Sequence, residues 1–267
     1  MYLADYHTHT RISPDASYCM DEMAQAAYEA GLQEICFTDH MEPVLWDGKG
    51  RLPAYNWEGL AADFQLAREK SPIPVRLGIE LGEAVLDLDH TAELLAKAPP
   101  LDFIIGSTHM LSDKFHRTDL YYFQPKDEEE ALAGIRDYLG LVKKTAQWGG
   151  FDVLGHLTLP LRYLNENQGF HLSFDGFERE VEEIFRLVIR QGKGIEMNTN
   201  RGNTPLPDEK WLRLYRSLGG EIVTLGSDAH RPAHVGLGIE KGQALLRRCG
   251  FTKFCTFENH LPVYHDL

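Results

Sequence analysis

The sequence lacks paired cysteines, long apolar runs and an excess of basic residues, and each absence removes a class of protein. Its four cysteines, Cys19, Cys36, Cys249 and Cys255, show no CxxC spacing, so neither a disulfide framework nor a thiolate zinc site is indicated. Cys36, inside an apolar run, reads as a small buried hydrophobe. No apolar stretch approaches membrane-spanning length, so no membrane partner is expected. Met1-Tyr2-Leu3-Ala4-Asp5 lacks the basic and apolar regions of a signal peptide, and the expectation is a cytoplasmic protein. The formal net charge is −13, which disfavours nucleic acid as a partner, because such binding draws on Lys and Arg neutralising phosphates. A small anionic substrate stays compatible, since a metal cluster or an arginine pair inverts the field inside one cleft. No linker, low-complexity run or internal repeat interrupts the chain, and residues 1–267 read as a single domain.

What the sequence does have is histidine, twelve in all. The pair in Asp5-Tyr6-His7-Thr8-His9 follows the first apolar run, and side chains two apart in an extended segment face the same way. Two such imidazoles can share a metal ion if further donors arrive from elsewhere. An isolated HxH is more often a polar turn, so the weight falls on the rest of the chain.

That remainder alternates strand and helix. Strands are expected at Leu3–Tyr6, Glu34–Thr38, Val75–Ile79, Leu101–Gly106, Phe151–Gly155, Lys193–Met197 and Glu221–Gly226. Helices are expected at Met20–Ala30, Trp57–Lys70, Leu88–Lys97, Asp127–Trp148, Phe174–Gln191, Pro207–Leu218 and Leu237–Cys249, with Lys253–Phe257 as a closing strand. Such alternation indicates an α/β protein with a parallel sheet. His7, His9, His40, Glu80, His109, His156, Asp228 and His230 all fall just past the carboxyl ends of these strands. In a barrel those ends converge on one rim, whereas an open sheet would spread them along an edge. His90, His171, His260 and His265 lie in helical or terminal contexts and read as surface residues; His116 and His234 sit in loops able to line the rim. With Asp15 the set comes to nine nitrogen and oxygen donors, too many for one ion. Two or three divalent metals (Zn, Mn or Fe) are expected, with Glu80 able to bridge. Such a site activates a water and clamps both oxygens of an in-line displacement.

His7-Thr8-His9, Thr38-Asp39-His40, Gly78-Ile79-Glu80, Ser107-Thr108-His109, Gly155-His156 and Ser227-Asp228-Ala229-His230 resemble, in order and spacing, the motifs of the PHP (polymerase and histidinol phosphatase) family. Within it, Asp5 to Thr10 followed by Ser13-Pro14-Asp15 is similar to the stand-alone histidinol-phosphate phosphatases of histidine biosynthesis. The resemblance implies a distorted seven-stranded (β/α)7 TIM-like barrel with a trinuclear metal site at the C-terminal rim of the strands. By motif, one ion would take His7, His9, Glu80 and Asp228; a second would share Glu80 and take His109 and His156; a third would take Asp15, His40 and His230. Many family members carry histidine where Asp15 stands.

The implied reaction is hydrolysis of a small phosphate monoester, L-histidinol phosphate. Arg162, in the loop after His156, and Arg201, after Asn198, are the candidates for holding the phosphate, because a guanidinium meets phosphate in a bidentate fork. Arg11 and Arg231 flank ligand motifs, and Glu42 is a candidate contact for a cationic imidazole or ammonium group. Asp228, His230 and Arg162 are the catalytic candidates, with Asp228 or His230 serving the leaving group. No serine or cysteine stands in a triad or elbow setting. The alternatives are a PHP-type phosphodiesterase or nuclease, a phosphatase acting on another small phosphate ester, and a non-catalytic PHP module.

Overall fold

The computed structural model describes residues 1–267. In chain order the elements are β1 (Ala4–Asp5), α1 (Met20–Glu29), β2 (Glu34–Met41), α2 (Trp57–Lys70), β3 (Val75–Gly82), α3 (Leu88–Leu95), β4 (Phe103–Ser107) and α4 (Glu128–Trp148). There follow β5 (Val153–Leu154), α5 (Glu178–Arg190), β6 (Gly194–Asn198), α6 (Glu209–Ser217), β7 (Val223–Gly226), α7 (Ile239–Arg248), β8 (Lys253–Glu258) and β9 (Leu261–Asp266). Strands β1 to β7 form one parallel sheet in sequence order. Its two edges meet: the Tyr6 amide donates to Leu225 O at 2.9 Å, the Asp228 amide to His7 O at 2.9 Å and the His9 amide to Ala229 O at 2.8 Å. The result is the expected seven-stranded α/β barrel ringed by helices. No helix is long and apolar enough to cross a membrane.

The helices form where one apolar face can be buried, and four of the seven are capped by a polar side chain at the first turn. On α5, Val181, Ile184, Phe185 and Val188 are buried, the i, i+3, i+4, i+7 spacing of a single helical stripe. Asp127 and Asp208 start α4 and α6 by accepting from the Glu130 and Lys210 amides. That capping corrects the expected helix start at Pro207, because the capping residue itself lies outside the helix. The expected start at Phe174 is also too early. Phe174 and Phe177 are buried at helical spacing, but Gly176 between them has φ +89°, and the helix begins at Glu178.

Two strands run further than expected. β2 continues through His40 to Met41 and β3 through Glu80 to Gly82, so these two donors lie within paired strands and not beyond them. Polar residues extend a strand when the barrel interior they face supplies partners, which periodicity of apolar residues does not register. The closing strand is also different: β8 does not join the barrel sheet but pairs antiparallel with β9, an element absent from the expected list. This hairpin covers the amino-terminal floor. Phe254 and Phe257 are buried, the Tyr6 hydroxyl donates to Phe257 O at 3.0 Å, and His260 Nδ1 lies 2.8 Å from Asp152 Oδ2 ahead of β5.

Candidate metal centre and active site

Backbone register explains why distant donors meet. His40 and Glu80 are Cα partners in the β2–β3 ladder, so their side chains leave the sheet side by side. His7 and His9 enter from β1, adjacent to β7, whose end carries Asp228 in the left-handed region at φ +59°. Gly226 makes that approach possible, because a Cβ there would lie 2.3 Å from His7 Cβ.

Glu80, 1% exposed, stands at the middle of the cluster. Its Oε2 lies 3.2 Å from His7 Nε2, 3.5 Å from His9 Nε2 and 3.1 Å from His40 Nδ1. Its Oε1 lies 2.7 Å from His156 Nε2 and 3.1 Å from His109 Nε2. Asp228 Oδ1 is 4.0 Å from His7 Nε2 and 3.5 Å from His9 Nε2. Asp15 Oδ2 is 2.9 Å from His230 Nε2 and 3.8 Å from His40 Nε2. All nine sequence-derived donors therefore converge on one place. Four overlapping sets have donor atoms within 4.8 Å of one another: His7, His9 and Asp228; His7, Glu80 and His156; His9, His40 and His230; and His40, Glu42 and His109.

Whether the set suits a metal is tested by its unmet atoms. His7 Nε2, His9 Nε2, His40 Nδ1, His109 Nδ1 and Glu42 Oε1 are buried and have no hydrogen-bond partner. Each such atom costs about 1–3 kcal/mol if nothing meets it. Divalent cations favoured by imidazole and carboxylate donors fit this set. Electrostatics within the cluster runs in both directions. Burial pushes the Glu80 carboxyl up, but His7, His109 and His40 overrule it and hold it well below its usual range. Burial, with His230 and His40 nearby, pushes His9 well down. Burial would also lower His40, yet Glu80 and Glu42 raise it to about 9.

The rim opens on a cavity of about 560 Å³ lined by Asp15, His40, Glu80, His109, His156, Asp228 and His230 together with Arg162 and Arg201. Arg162, 8% exposed, begins a short π-helical segment and forks onto protein acceptors. Its Nη1 donates to Asp228 Oδ2 at 2.6 Å, its Nε to Asn200 Oδ1 at 2.8 Å and its Nη2 to Asn198 Oδ1 at 3.3 Å. Burial raises the Asp228 carboxyl, but the Arg162 guanidinium holds it well below the usual range. Arg201 reaches the cavity from a left-handed turn at φ +53°. Glu42 also lines the cavity, with Oε1 3.2 Å from both His40 Nδ1 and His109 Nδ1, which groups it with the metal-type donors. Burial raises Asp119, which also lines the cavity, to about 6. Arg11 forks onto Asp63 instead, and neither it nor Arg231, His116 or His234 lines the cavity. His90, expected at the surface, is buried with Nε2 2.7 Å from Leu52 O.

Sequence reasoning missed the carboxylates that hold the donors in place. Asp39 accepts from the Thr10 amide and hydroxyl at 2.6 and 2.7 Å and from Ser13 Oγ at 2.7 Å, and Ser13 Oγ lies 3.1 Å from His9 Nδ1. Asp5 accepts from the Ser227 and Gly236 amides at 2.9 and 2.8 Å and so ties the loop after β7 to β1. Glu83 accepts from the His109 amide at 2.5 Å. Glu196 lies 2.6 Å from His7 Nδ1. The available signal was an acidic residue beside or inside an apolar run, as in Ile195-Glu196-Met197.

A parallel seven-stranded barrel whose carboxyl rim gathers histidines and carboxylates beside two arginines defines a metal-dependent hydrolase. The chain belongs to the PHP family: the PHP domain matches residues 5–200. It is 29% identical over 265 residues to the histidinol-phosphatase of Lactococcus lactis, covering 95% of this chain and 93% of that protein. It is 33% identical over 256 residues to a probable histidinol-phosphatase of Deinococcus radiodurans, covering 93% and 94%. Among solved structures, the histidinol phosphate phosphatase of Lactococcus lactis, complexed with zinc, L-histidinol and phosphate, superposes with a TM-score of 0.80 at 26% identity, covering 98% of each chain.

Proposed function

We propose that this protein is a metal-dependent histidinol-phosphatase, hydrolysing L-histidinol phosphate to L-histidinol and inorganic phosphate in histidine biosynthesis. The observation that supports this most is the full-length similarity to a phosphatase crystallised with zinc, L-histidinol and phosphate. Residues 1–267 serve as one PHP-type barrel domain in this reading. The ligand sets are those of the family motifs: His7, His9, Glu80 and Asp228; Glu80, His109 and His156; and Asp15, His40 and His230. They would hold two or three divalent ions, zinc, manganese or iron.

When bound, the metals supply an activated water and Lewis-acid stabilisation of the phosphoryl oxygens. The chain's own residues do the rest. Arg162 and Arg201 present guanidinium groups to the phosphoryl oxygens, where preorganised positive charge stabilises the transition state. Asp228 keeps one oxygen on Arg162 and turns the other toward His7 and His9, so it links phosphate-holding and metal-holding groups. His230, its Nε2 directed at Asp15 and its ring partly open to the cavity, or a water held by Asp228 would serve the leaving oxygen. Glu42, Asp119 and Glu166 also line the cavity, and carboxylates there suit a leaving group carrying ammonium and imidazole.

Phosphate release from L-histidinol phosphate, measured beside cleavage of bis-p-nitrophenyl phosphate and a short single-stranded oligonucleotide, tests this. The monoester should be hydrolysed fastest by a wide margin. Faster cleavage of the diester or the DNA would make the protein a phosphodiesterase.

A further inference from the structure

Six of the seven barrel strands deliver donors to the rim, and β6 delivers none. Its inward side chain is Glu196, 1% exposed. Oε1 lies 2.6 Å from His7 Nδ1 and accepts from Asn198 Nδ2 at 3.3 Å, and Oε2 accepts from the His156 amide at 2.8 Å. Two of these three partners can only donate. With both carboxylate oxygens accepting, the proton shared with His7 belongs on Nδ1. That leaves His7 Nε2, a buried atom with no hydrogen-bond partner, as a free lone pair 3.2 Å from Glu80 Oε2.

The space is also shaped for this pair. A Cβ at Gly226 would lie 2.6 Å from Glu196 Oε1 as well as 2.3 Å from His7 Cβ. The backbone of β7 therefore stands where only glycine admits both side chains.

We propose that Glu196 is the positioning residue of the metal centre: by accepting from His7 Nδ1 and the His156 amide together, it fixes the His7 tautomer and ties two ligand strands to a common anchor. It touches neither substrate nor metal. The inference rests on His7 and His156 being metal-facing donors. It goes further by requiring a group with acceptors at both ends. An amide cannot meet that requirement, because its NH₂ would face either His7 Nδ1–H or the His156 N–H.

Glu196→Gln, nearly identical in shape, is the test. Zinc affinity, measured by competition with a chromophoric chelator, should weaken about 10- to 100-fold, the usual effect of removing a partner behind a ligating histidine. The visible spectrum of the cobalt-substituted variant should change in shape. A folded Glu196→Gln protein with wild-type zinc affinity and an unchanged cobalt spectrum would overturn the inference; a purely structural role would lower stability and leave both readings alone. Should the variant not fold, long-range ¹H–¹⁵N spectra of the zinc-loaded wild type decide the matter. The His7 proton is expected on Nδ1, and finding it on Nε2 would overturn the inference. Failure of the underlying metal reading would look different, since wild-type protein would then take up no zinc at all.

Discussion

Arg162 shows how one side chain can serve three neighbours. Its guanidinium plane meets Asp228, Asn200 and Asn198 with three different nitrogens. The planar fork holds itself against three acceptors while lining the cavity, and an ammonium on a flexible stem cannot match that geometry. Arg162→Lys should therefore lower kcat/KM for the phosphate ester by about 100-fold, in the range found when one preorganised donor to a transition-state oxygen is lost. The change should fall mainly on kcat, with metal per chain unaltered, as read by steady-state kinetics and elemental analysis of the same sample. Parallel loss of metal would show instead that Arg162 acts through Asp228. At this scale the sequence reveals donors better than their supports. His7, His40 and Glu80 are visible because each stands in a motif at a strand end. Asp5, Asp39 and Glu196 were hidden because a carboxylate in an apolar run carries no label saying which amides or hydroxyls it will accept from. Only the three-dimensional register of β1, β2 and β6 supplies those partners.

Among the elements, the helices were the most legible. The stripe on α5 buries Val181, Ile184, Phe185 and Val188 as its spacing requires, and α2 spans Trp57–Lys70 as read from its pattern. The β8–β9 hairpin was not legible as a unit, because β9 buries none of its residues and leaves Leu261, Val263 and Tyr264 exposed, so it has no burial pattern to read. Its contribution comes from β8, which inserts Phe254 and Phe257 beneath the barrel, with the Phe257 ring 4.9 Å from that of Phe103. The rim chemistry lies at the opposite end of the strands. Phe257→Ala should cost about 3–5 kcal/mol, the usual effect of emptying a buried aromatic site. Urea unfolding should show the lowered midpoint, while kcat/KM of the folded fraction stays at the wild-type value. A variant of normal stability would mean that the hairpin only lies against the floor.

Taken as a whole, the molecule separates its tasks along the barrel axis. Apolar residues fill the space between sheet and helices, and the hairpin seals the floor. The rim, by contrast, buries imidazoles and carboxylates that the apolar core cannot stabilise. The barrel was legible because six of its seven strand–helix alternations brought at least one donor, a pattern with no purpose in an open sheet. The energetic consequence of that rim was not legible, since it depends on buried nitrogen atoms that find no partner in the protein. A ligand that meets those atoms in the folded chain and not in the unfolded one stabilises the fold by mass action, by about 4 kcal/mol when free metal stands at 1,000 times its Kd. For a chain of this length each kcal/mol moves Tm by roughly 2 °C. Stripping metal with a strong chelator should therefore lower Tm by about 8 °C, and adding back zinc should restore it along with phosphatase activity. The shift should grow with free zinc concentration, as linkage requires. An identical Tm with and without chelator would show that the rim is held by protein contacts alone, with the metals contributing to the reaction and not to the fold.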